Sequence, residues 1–202
     1  MYVPAHFKVD DRAELIRFMH AHAFATVITA PDGIPFASHV PLLIHEEGGQ
    51  LYLRSHLARA NKQWQHFDGR DVLVVFQGPH ALIHSNWYAS TPNVPTWNYA
   101  VVHAYGPPRV VDDAHATREI AFGLVAKYTP DMHPIPEDYE RRLLAGVVTF
   151  EIHVNRLEGK FKLGQNRSEA DLANVHRALS SSEHDTERAL ADLMRSQQPD
   201  AT

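Results

Sequence analysis

The stretch FATVITAPDGIPFASHVPLLIHEEGGQLYLRS, residues 24–55, decides the fold, because it holds three apolar segments separated by two turn signals. The segments are residues 24–29, 35–45 and 51–55. Pro31-Asp32-Gly33 and Glu46-Glu47-Gly48-Gly49 are typical turn sequences. Short strands joined directly by turns predict an antiparallel meander.

The rest of the chain adds further strand and helix patterns without an internal repeat. Strand patterns cover residues 72–76, 81–83, 97–105 and 147–157. Helical patterns cover residues 10–22, 59–67, 113–128, 137–144, 168–179 and 182–195. Because helices do not alternate with the first strands, a parallel doubly wound sheet fits badly. We expect a mainly β fold with flanking helices, built on a closed or partly closed antiparallel barrel.

The composition is that of an ordinary soluble globular protein, with 44% apolar and 21% charged residues in 202. The chain has no cysteine, which excludes disulfides and cysteine-ligated metals. No segment approaches the roughly 20 apolar residues that span a bilayer, and the N-terminus lacks a signal-peptide pattern. We therefore expect a cytoplasmic protein with no membrane contact. The net charge of −5 argues against direct DNA binding.

The first polar cluster follows the third strand of the meander. It contains Arg54, Ser55, His56, Arg59 and Asn61. Guanidinium groups pair with phosphate oxygens, and the N–H groups of a helix N-terminus point at an anion. The cluster therefore indicates a phosphate site at the predicted strand-to-helix junction. A solvated turn with a serine cap is the competing interpretation.

Two further clusters could contact a flat ring. The aromatic residues Trp87, Tyr88, Trp97 and Tyr99 lie in and beside one loop, with Asn98 among them. Their faces can stack on a heterocycle, and an amide can bond to its edge, although a hydrophobic cluster or dimer contact explains them equally well. Residues 160–167 offer cations and amides for a carbonyl-rich or anionic ligand, or simply form a polar connection.

The sequence contains few motifs that are typical of other chemistries. There is no HExxH, no G-x-S-x-G and no glycine-rich phosphate loop. The 15 histidines include His80 and His84 at the ends of one short strand, which is a weak metal pattern. We expect no metal site and assign no catalytic residue.

The three clusters, in this order, resemble the PaiB family of FMN-binding negative transcriptional regulators. The likeness covers nearly the whole chain and is most specific in two strings taken together. These are Val94-Pro95-Thr96-Trp97-Asn98-Tyr99 and Lys162-Leu163-Gly164-Gln165-Asn166, where Gly164 replaces the usual serine. Further matching strings are Met1-Tyr2-Val3-Pro4, Ser38-His39-Val40-Pro41-Leu42, His56-Leu57-Ala58-Arg59-Ala60-Asn61, Phe76-Gln77-Gly78-Pro79 and Trp87-Tyr88.

The resemblance implies an FMN-binding split barrel, which is a six-stranded antiparallel Greek-key barrel with flanking helices. It also implies a homodimer with two flavins at the subunit interface. On this basis we expect residues 1–166 to form the FMN-binding split-barrel domain with inserted helices. Residues 167–202 would be a C-terminal helical extension packed on the barrel.

The resemblance also assigns roles to residues. The FMN phosphate and ribityl chain would be held by Arg54, Ser55, His56, Arg59 and Asn61. The strand that carries His39 and Val40 would run beside the isoalloxazine ring. The ring would be lined, from the same or the partner subunit, by Trp97, Asn98, Lys162, Gln165 and Asn166.

Three functions are compatible with these expectations. The family name implies negative regulation of transcription, for which helical arginines Arg177, Arg188 and Arg195 could contact a partner. A flavin-dependent oxidoreductase or flavin reductase is the first alternative. A haem-binding split barrel is the second, since some relatives of this fold bind haem and the chain is rich in histidine.

Overall fold

A computed structural model describes residues 1–197 of the chain, and these residues form two compact units. Unit 1 comprises Met1–Asp11, Gln77–Val101 and residues 158–197. Unit 2 comprises Arg12–Phe76 and Val102–Leu157.

The strands and helices within residues 1–197 are labelled here in chain order. The strands are β1 (Lys8–Val9), β2 (Phe24–Thr29), β3 (Phe36–Pro41), β4 (Leu43–Glu47), β5 (Gln50–Ala58), β6 (Val72–Ile83), β7 (Thr96–Gly106), β8 (Pro108–Val110), β9 (Val147–Val154) and β10 (Arg156–Lys162). The helices are α1 (Arg12–Ala21), α2 (Ala114–Tyr128), α3 (Glu137–Ala145), α4 (Glu169–Ser180) and α5 (Asp185–Ser196). Short 3-10 helices cover Ala5–Phe7, Lys62–His66 and Ser85–Trp87.

Unit 2 contains the meander predicted from residues 24–55. Strand β2 pairs antiparallel with β3, with Val27 opposite Ser38, and also with the first part of β6. A four-stranded sheet runs in the order β4-β5-β9-β8, and every pairing in it is antiparallel. Alternate residues of β5 are buried, from Leu51 to Leu57, so one face of this strand belongs to the core.

Helix α2 lies against β4, β5 and β9 of the same unit. Its N-terminus is capped by Asp113, whose carboxylate accepts a hydrogen bond from the N–H of Ala116 at 2.7 Å. Its buried side chains, Ile120 and Leu124, place the apolar stripe toward the sheet. The predicted helix at residues 113–128 is therefore confirmed.

Unit 1 joins β1, β10 and a pair of C-terminal helices. Strand β1 pairs antiparallel with β10, with Lys8 opposite Lys160. Helices α4 and α5 pack on each other, and α4 also lies against the 3-10 helix Ser85–Trp87. Leu179 and Leu190 are fully buried in this part of the unit.

Four boundary predictions are corrected by the structure. Residues 35–45 form two strands that join different sheets, and residues 147–157 divide at Asn155, whose amide contacts the carboxylate of Asp71. Residues 72–83 form one strand, because the fixed φ of Pro79 is compatible with an extended backbone. The predicted helix at residues 59–67 is wrong.

Tertiary hydrogen bonds explain the error at residues 59–67. The side chain of Gln63 is fully buried, and its Nε2 donates to the carbonyl oxygens of Val27 at 2.9 Å and Phe36 at 3.1 Å. These bonds hold the segment as a 3-10 helix, Lys62–His66, after β5 has continued to Ala58.

The fold class is confirmed, since the described residues form mainly antiparallel β sheets with flanking helices. Closure into a six-stranded Greek-key barrel stays a prediction, as does the division into residues 1–166 and 167–202, of which residues 198–202 lie outside the described part. Within residues 1–197, no helix has the length and apolar composition needed to cross a membrane.

Candidate functional site

Strand β5 separates the residues of the first predicted cluster onto two faces, because successive side chains of a strand point in opposite directions. Ser55 is fully buried, and its hydroxyl donates to the carbonyl oxygen of Pro41 at 2.6 Å. Arg54 and His56 lie on the other face of the strand. The three residues are thus adjacent in sequence but do not converge on one point.

Arg54 is engaged by a buried carboxylate. Its Nε donates to Glu151 at 2.5 Å, and Arg109 donates to the other oxygen of the same carboxylate at 2.8 Å. Burial raises the pKa of Glu151, but the hydrogen bonds from Arg54 and Arg109 outweigh it, so the pKa lies below its ordinary value. The sequence did not predict a role for Glu151 or Arg109. A strand pattern shows which residues alternate, but it does not show which distant side chains a charged residue contacts.

Arg59 and Asn61 lie just beyond the end of β5. The guanidinium of Arg59 donates through Nε to the carbonyl oxygen of Ala145 and through Nη2 to that of Val147, both at 2.8 Å. Asn61 donates through Nδ2 to the hydroxyl of Ser38 at 2.8 Å, and its Oδ1 caps the 3-10 helix. Two residues far apart in sequence, Ser38 and Asn61, are therefore brought together at the β3 side of unit 2.

The two β3 residues with predicted roles differ in exposure. Val40 is buried, whereas the ring of His39 is exposed. The Nδ1 atom of His39 lies 2.9 Å from the hydroxyl of Thr26, and its ring stacks on Phe24 at a centroid distance of 6.5 Å. His39 therefore presents an anchored ring to the surface of unit 2.

His56 has a different environment from the other members of its cluster. Its Nδ1 atom is buried and has no hydrogen-bond partner within residues 1–197. Burial lowers the pKa of His56 below its ordinary value of 6.5. The neighbouring side chains are apolar, which is an unusual setting for a phosphate ligand.

In unit 1, Trp97 and Asn98 follow Thr96 near the start of β7 and point in opposite directions. Trp97 is 52% exposed, whereas Asn98 is buried at 3%. The indole borders an open pocket of about 390 Å³ that also contacts Gln77, His80 and Tyr99. The His80 and Trp97 rings lie 5.7 Å apart. The sequence offers His80 only as half of a weak metal pattern and predicts no role for Gln77, although Gln77 lies in one of the strings that carry the resemblance.

Lys162 lies beside the start of β7 in the same unit. Its Nζ donates to the carbonyl oxygen of Trp97 at 2.8 Å and to the hydroxyl of Thr96. Burial lowers the pKa of Lys162, and the neighbouring charges of Lys160 and Arg167 lower it further. The three cations make this part of unit 1 electropositive, which favours an anionic or electron-rich ligand.

The loop after β10 holds the last two predicted residues. Gln165 is exposed, but its amide folds back, donating to the carbonyl oxygen of Phe161 at 2.6 Å and accepting from the N–H of Leu163 at 2.9 Å. Gly164 has a φ of +92°, which suits glycine better than the serine usual in the family. Asn166 is exposed beside it.

No three histidine, aspartate or glutamate side chains in the described part of the chain are grouped so that they could hold a metal ion. The absence of a metal site stays a prediction. The roles assigned to the twelve residues above also stay predictions. The structure shows what surrounds each of these side chains.

Comparison with known proteins gives both close and distant likenesses. A family model described as "Putative FMN-binding domain" matches residues 1–156. The chain is 38% identical over 202 residues to "Protease synthase and sporulation protein PAI 2" of Bacillus subtilis, covering 96% of each chain.

Two solved structures share the fold at low sequence identity. The flavocytochrome Anf3 of Azotobacter vinelandii has a TM-score of 0.64 at 16% identity, over 85% of this chain and 78% of that one. The FAD and heme binding protein of Mycobacterium smegmatis has a TM-score of 0.61 at 17% identity, over 82% of this chain and 78% of that one.

The antiparallel sheets, the flanking helices and these likenesses define the class, which is the fold of flavin-binding split-barrel proteins. Within that class the chain belongs to the FMN-binding domain family that includes the PaiB proteins. The family membership confirms FMN as the cofactor predicted from the resemblance.

Proposed function

We propose that this protein is an FMN-dependent redox protein in which the flavin ring lies against the pocket beside Trp97. The observation that carries the proposal is the pairing, in unit 1, of an open aromatic pocket with a partly buried lysine. The pocket of about 390 Å³ lies within the size range of small-molecule sites. Bound FMN would supply hydride exchange with a small donor or acceptor, and an open ring face suits such a reaction.

Two side chains of unit 1 would act on the ring. The half-exposed indole of Trp97 supplies a flat apolar surface for stacking. Lys162 Nζ is held in place by its bonds to Trp97 and Thr96, so its charge is preorganised. A fixed cation favours negative charge on a reduced ring more than it favours the neutral oxidised ring.

In unit 2, the polar groups near the end of β5 have the chemistry that a phosphate and a ribityl chain need. The two bonds of Arg59 use Nε and one of its terminal nitrogens, and the guanidinium is exposed at the surface. The Ser38–Asn61 pair offers a hydroxyl and an amide to ribityl oxygens. Ser55 supports this region indirectly by tying β5 to Pro41.

The test replaces Lys162, whose Nζ bonds to the carbonyl oxygen of Trp97. Lys162→Met should weaken binding of reduced FMN by about tenfold more than binding of oxidised FMN, since a charge-assisted bond is lost. The midpoint potential of bound FMN should then become more negative. Lys8→Met is the matched control, because Lys8 is 55% exposed and pairs with Asp10 in the same unit. An unchanged potential in Lys162→Met would contradict the proposal.

A second proposal is indirect regulation of gene expression, for which the support is the 38% identity to the Bacillus subtilis sporulation protein. Direct DNA contact through α4 and α5 has little support, because their arginines already have partners. Arg177 bonds to Asn174, Arg188 to Asp185, and Arg195 to His176. A gel shift with genomic fragments at low salt would support direct binding, and its absence would leave regulation through a partner.

Haem binding is the third candidate, favoured by the haem-containing proteins among the structural neighbours. A Soret band on haem titration that disappears in a single histidine variant would establish it. A titration without such a band would eliminate it. A cytoplasmic location and a homodimeric state remain part of the proposal.

A further inference from the structure

Lys160 of β10 lies between two aromatic rings of unit 1. Its Nζ is 5.5 Å from the ring centroid of Tyr2 and 5.3 Å from that of Tyr99. Both distances are typical of cation–π contacts, in which a cation is attracted to the face of a ring. The two rings therefore hold the ammonium group in place without supplying a hydrogen-bond acceptor.

The ammonium group of Lys160 has no carboxylate partner among residues 1–197, because the neighbouring acids pair elsewhere. Glu158, two residues earlier on β10, lies 2.5 Å from the α-amino group of Met1. Asp10 pairs with Lys8 at 2.8 Å. An unpaired cation in a chain of net charge −5 attracts an anion from outside the chain.

Lys160 lies beside the pocket that Trp97 borders. Tyr99, whose ring Lys160 contacts, lines the same pocket. Lys160 and Lys162 are two residues apart on β10, so their side chains lie on one face and their Cα atoms are roughly 7 Å apart. After burial, the charge of Lys160 is the largest cause of the lowered pKa of Lys162, as expected for two nearby ammonium groups.

The two lysines differ in what they can offer to a second molecule. Nζ of Lys162 is already bonded to the carbonyl oxygen of Trp97 and the hydroxyl of Thr96, beside the proposed position of the flavin ring. Nζ of Lys160 makes no hydrogen bond within the described part of the chain, so its donors are available. The separation of the two lysines is comparable to the length of a two-ring aromatic molecule.

We propose that Lys160 makes the Trp97 pocket selective for a planar organic anion, such as an aromatic carboxylate, as the substrate that lies against the flavin. The inference rests on the proposed function and names the class of its substrate. The rings of the substrate would stack in the pocket, and its carboxylate would accept a charge-assisted hydrogen bond from Lys160. A neutral molecule of the same shape would gain the stacking without this bond.

The probe is 2-naphthoate, compared with 2-naphthamide, which has nearly the same shape without the charge. Both are titrated into the full chain saturated with FMN, and binding is followed by calorimetry and by the visible absorption of the flavin. We expect 2-naphthoate to bind about tenfold more tightly than 2-naphthamide and to shift the flavin bands. Lys160→Met should weaken 2-naphthoate binding about tenfold, the effect of one charge-assisted hydrogen bond, and leave 2-naphthamide binding unchanged.

Two further variants separate the contact from general charge and from packing. Lys8→Met is the matched control, because Lys8 lies opposite Lys160 in the β1–β10 pairing but is paired with Asp10. This variant should bind 2-naphthoate normally. Lys160→Arg keeps the cation and should keep the preference for the carboxylate. The midpoint potential of Lys162→Met tests the proposed function separately, so equal binding of both probes to an intact flavoprotein would contradict this inference alone.

Four results would overturn the inference. The first is unchanged 2-naphthoate binding in Lys160→Met. The second is equal weakening by Lys160→Met and Lys8→Met, which would reduce the effect to the general positive charge of unit 1. The third is weaker FMN binding in Lys160→Met, which would assign Lys160 to the phosphate of the cofactor. The fourth is binding of 2-naphthoate that leaves the flavin bands unchanged, which would place the anion away from the flavin.

Discussion

Gly106 marks a place in unit 2 where two segments pass at contact distance. A Cβ atom added there would lie 1.9 Å from the carbonyl oxygen of His153 and 2.8 Å from its carbonyl carbon. Both are backbone atoms of a paired strand and cannot move aside without disturbing the sheet. The position therefore tolerates only a hydrogen.

We expect Gly106→Ala to lower the free energy of unfolding by about 3 kcal/mol, at the upper end for an overpacked core. Urea unfolding of both proteins provides the measurement. Gly123→Ala is the control, because the atom it approaches at 2.9 Å is a flexible Leu43 side chain and the helix gains propensity. Equal stability of Gly106→Ala and the parent protein would show that the close approach does not exist.

For single residues of the candidate site, the sequence predicted which residue types are present. It did not predict the direction in which each side chain points. The string around Ser55 indicated a phosphate site, yet strand alternation sends Ser55 into the core and His56 toward an apolar pocket. The partners of Arg54 could not be foreseen, since Glu151 lies 97 residues away in sequence. Trp97 was predicted as an aromatic that could stack, and this role stays a prediction for an indole that is half exposed.

Among the elements, β5, β8 and β9 are joined by one carboxylate. Glu151 of β9 is 5% exposed and accepts hydrogen bonds from Arg54 of β5 and Arg109 of β8. The pKa of Glu151 is lower in the folded protein than in the unfolded chain. The ionised carboxylate therefore stabilises the fold at pH values above the pKa of the unfolded chain. This contribution is lost as the pH falls through the folded pKa.

Glu151→Gln should therefore lower the stability at pH 7 by about 2 kcal/mol, since charge-assisted hydrogen bonds are weakened. As the pH falls below 4.5, the ordinary pKa of glutamate, the variant should lose less stability than the parent protein, because it lacks this titrating group. Urea unfolding at several pH values measures both effects. Glu47→Gln is the control, since Glu47 is 71% exposed. Parallel pH profiles for Glu151→Gln and the parent protein would refute the role of this carboxylate.

Elements with local signals were predicted well, and elements shaped by distant contacts were not. Helix α4 begins where the helical pattern at residues 168–179 predicted it, because the Ser168 hydroxyl accepts from the N–H of Asp171 at 3.2 Å. Residues 59–67 have a helical pattern, but the buried amide of Gln63 imposes a different structure. The break between β3 and β4 likewise depends on the sheet each strand joins, which no local pattern records.

For the whole molecule, the proposed homodimer would use the outer face of β2 and β3, where the 67% exposed ring of Phe24 stacks on His39. An exposed aromatic pair offers a flat apolar surface that a partner can cover. A second copy of the chain is the partner expected from the fold class.

Phe24→Lys should therefore shift the protein from dimer to monomer, as measured by light scattering coupled to size exclusion. Tyr2→Lys is the control, because Tyr2 is 83% exposed in unit 1. A parent protein that is monomeric at micromolar concentration would contradict the dimer, and a dimer that persists in Phe24→Lys would place its interface elsewhere.

The central claim is that the chain binds FMN, and titration of the purified protein with FMN tests it most directly. We predict quenching of FMN fluorescence that saturates at one FMN per chain, with the visible absorption bands of a protein-bound flavin. A colourless protein that leaves the fluorescence of added FMN unchanged would contradict the account.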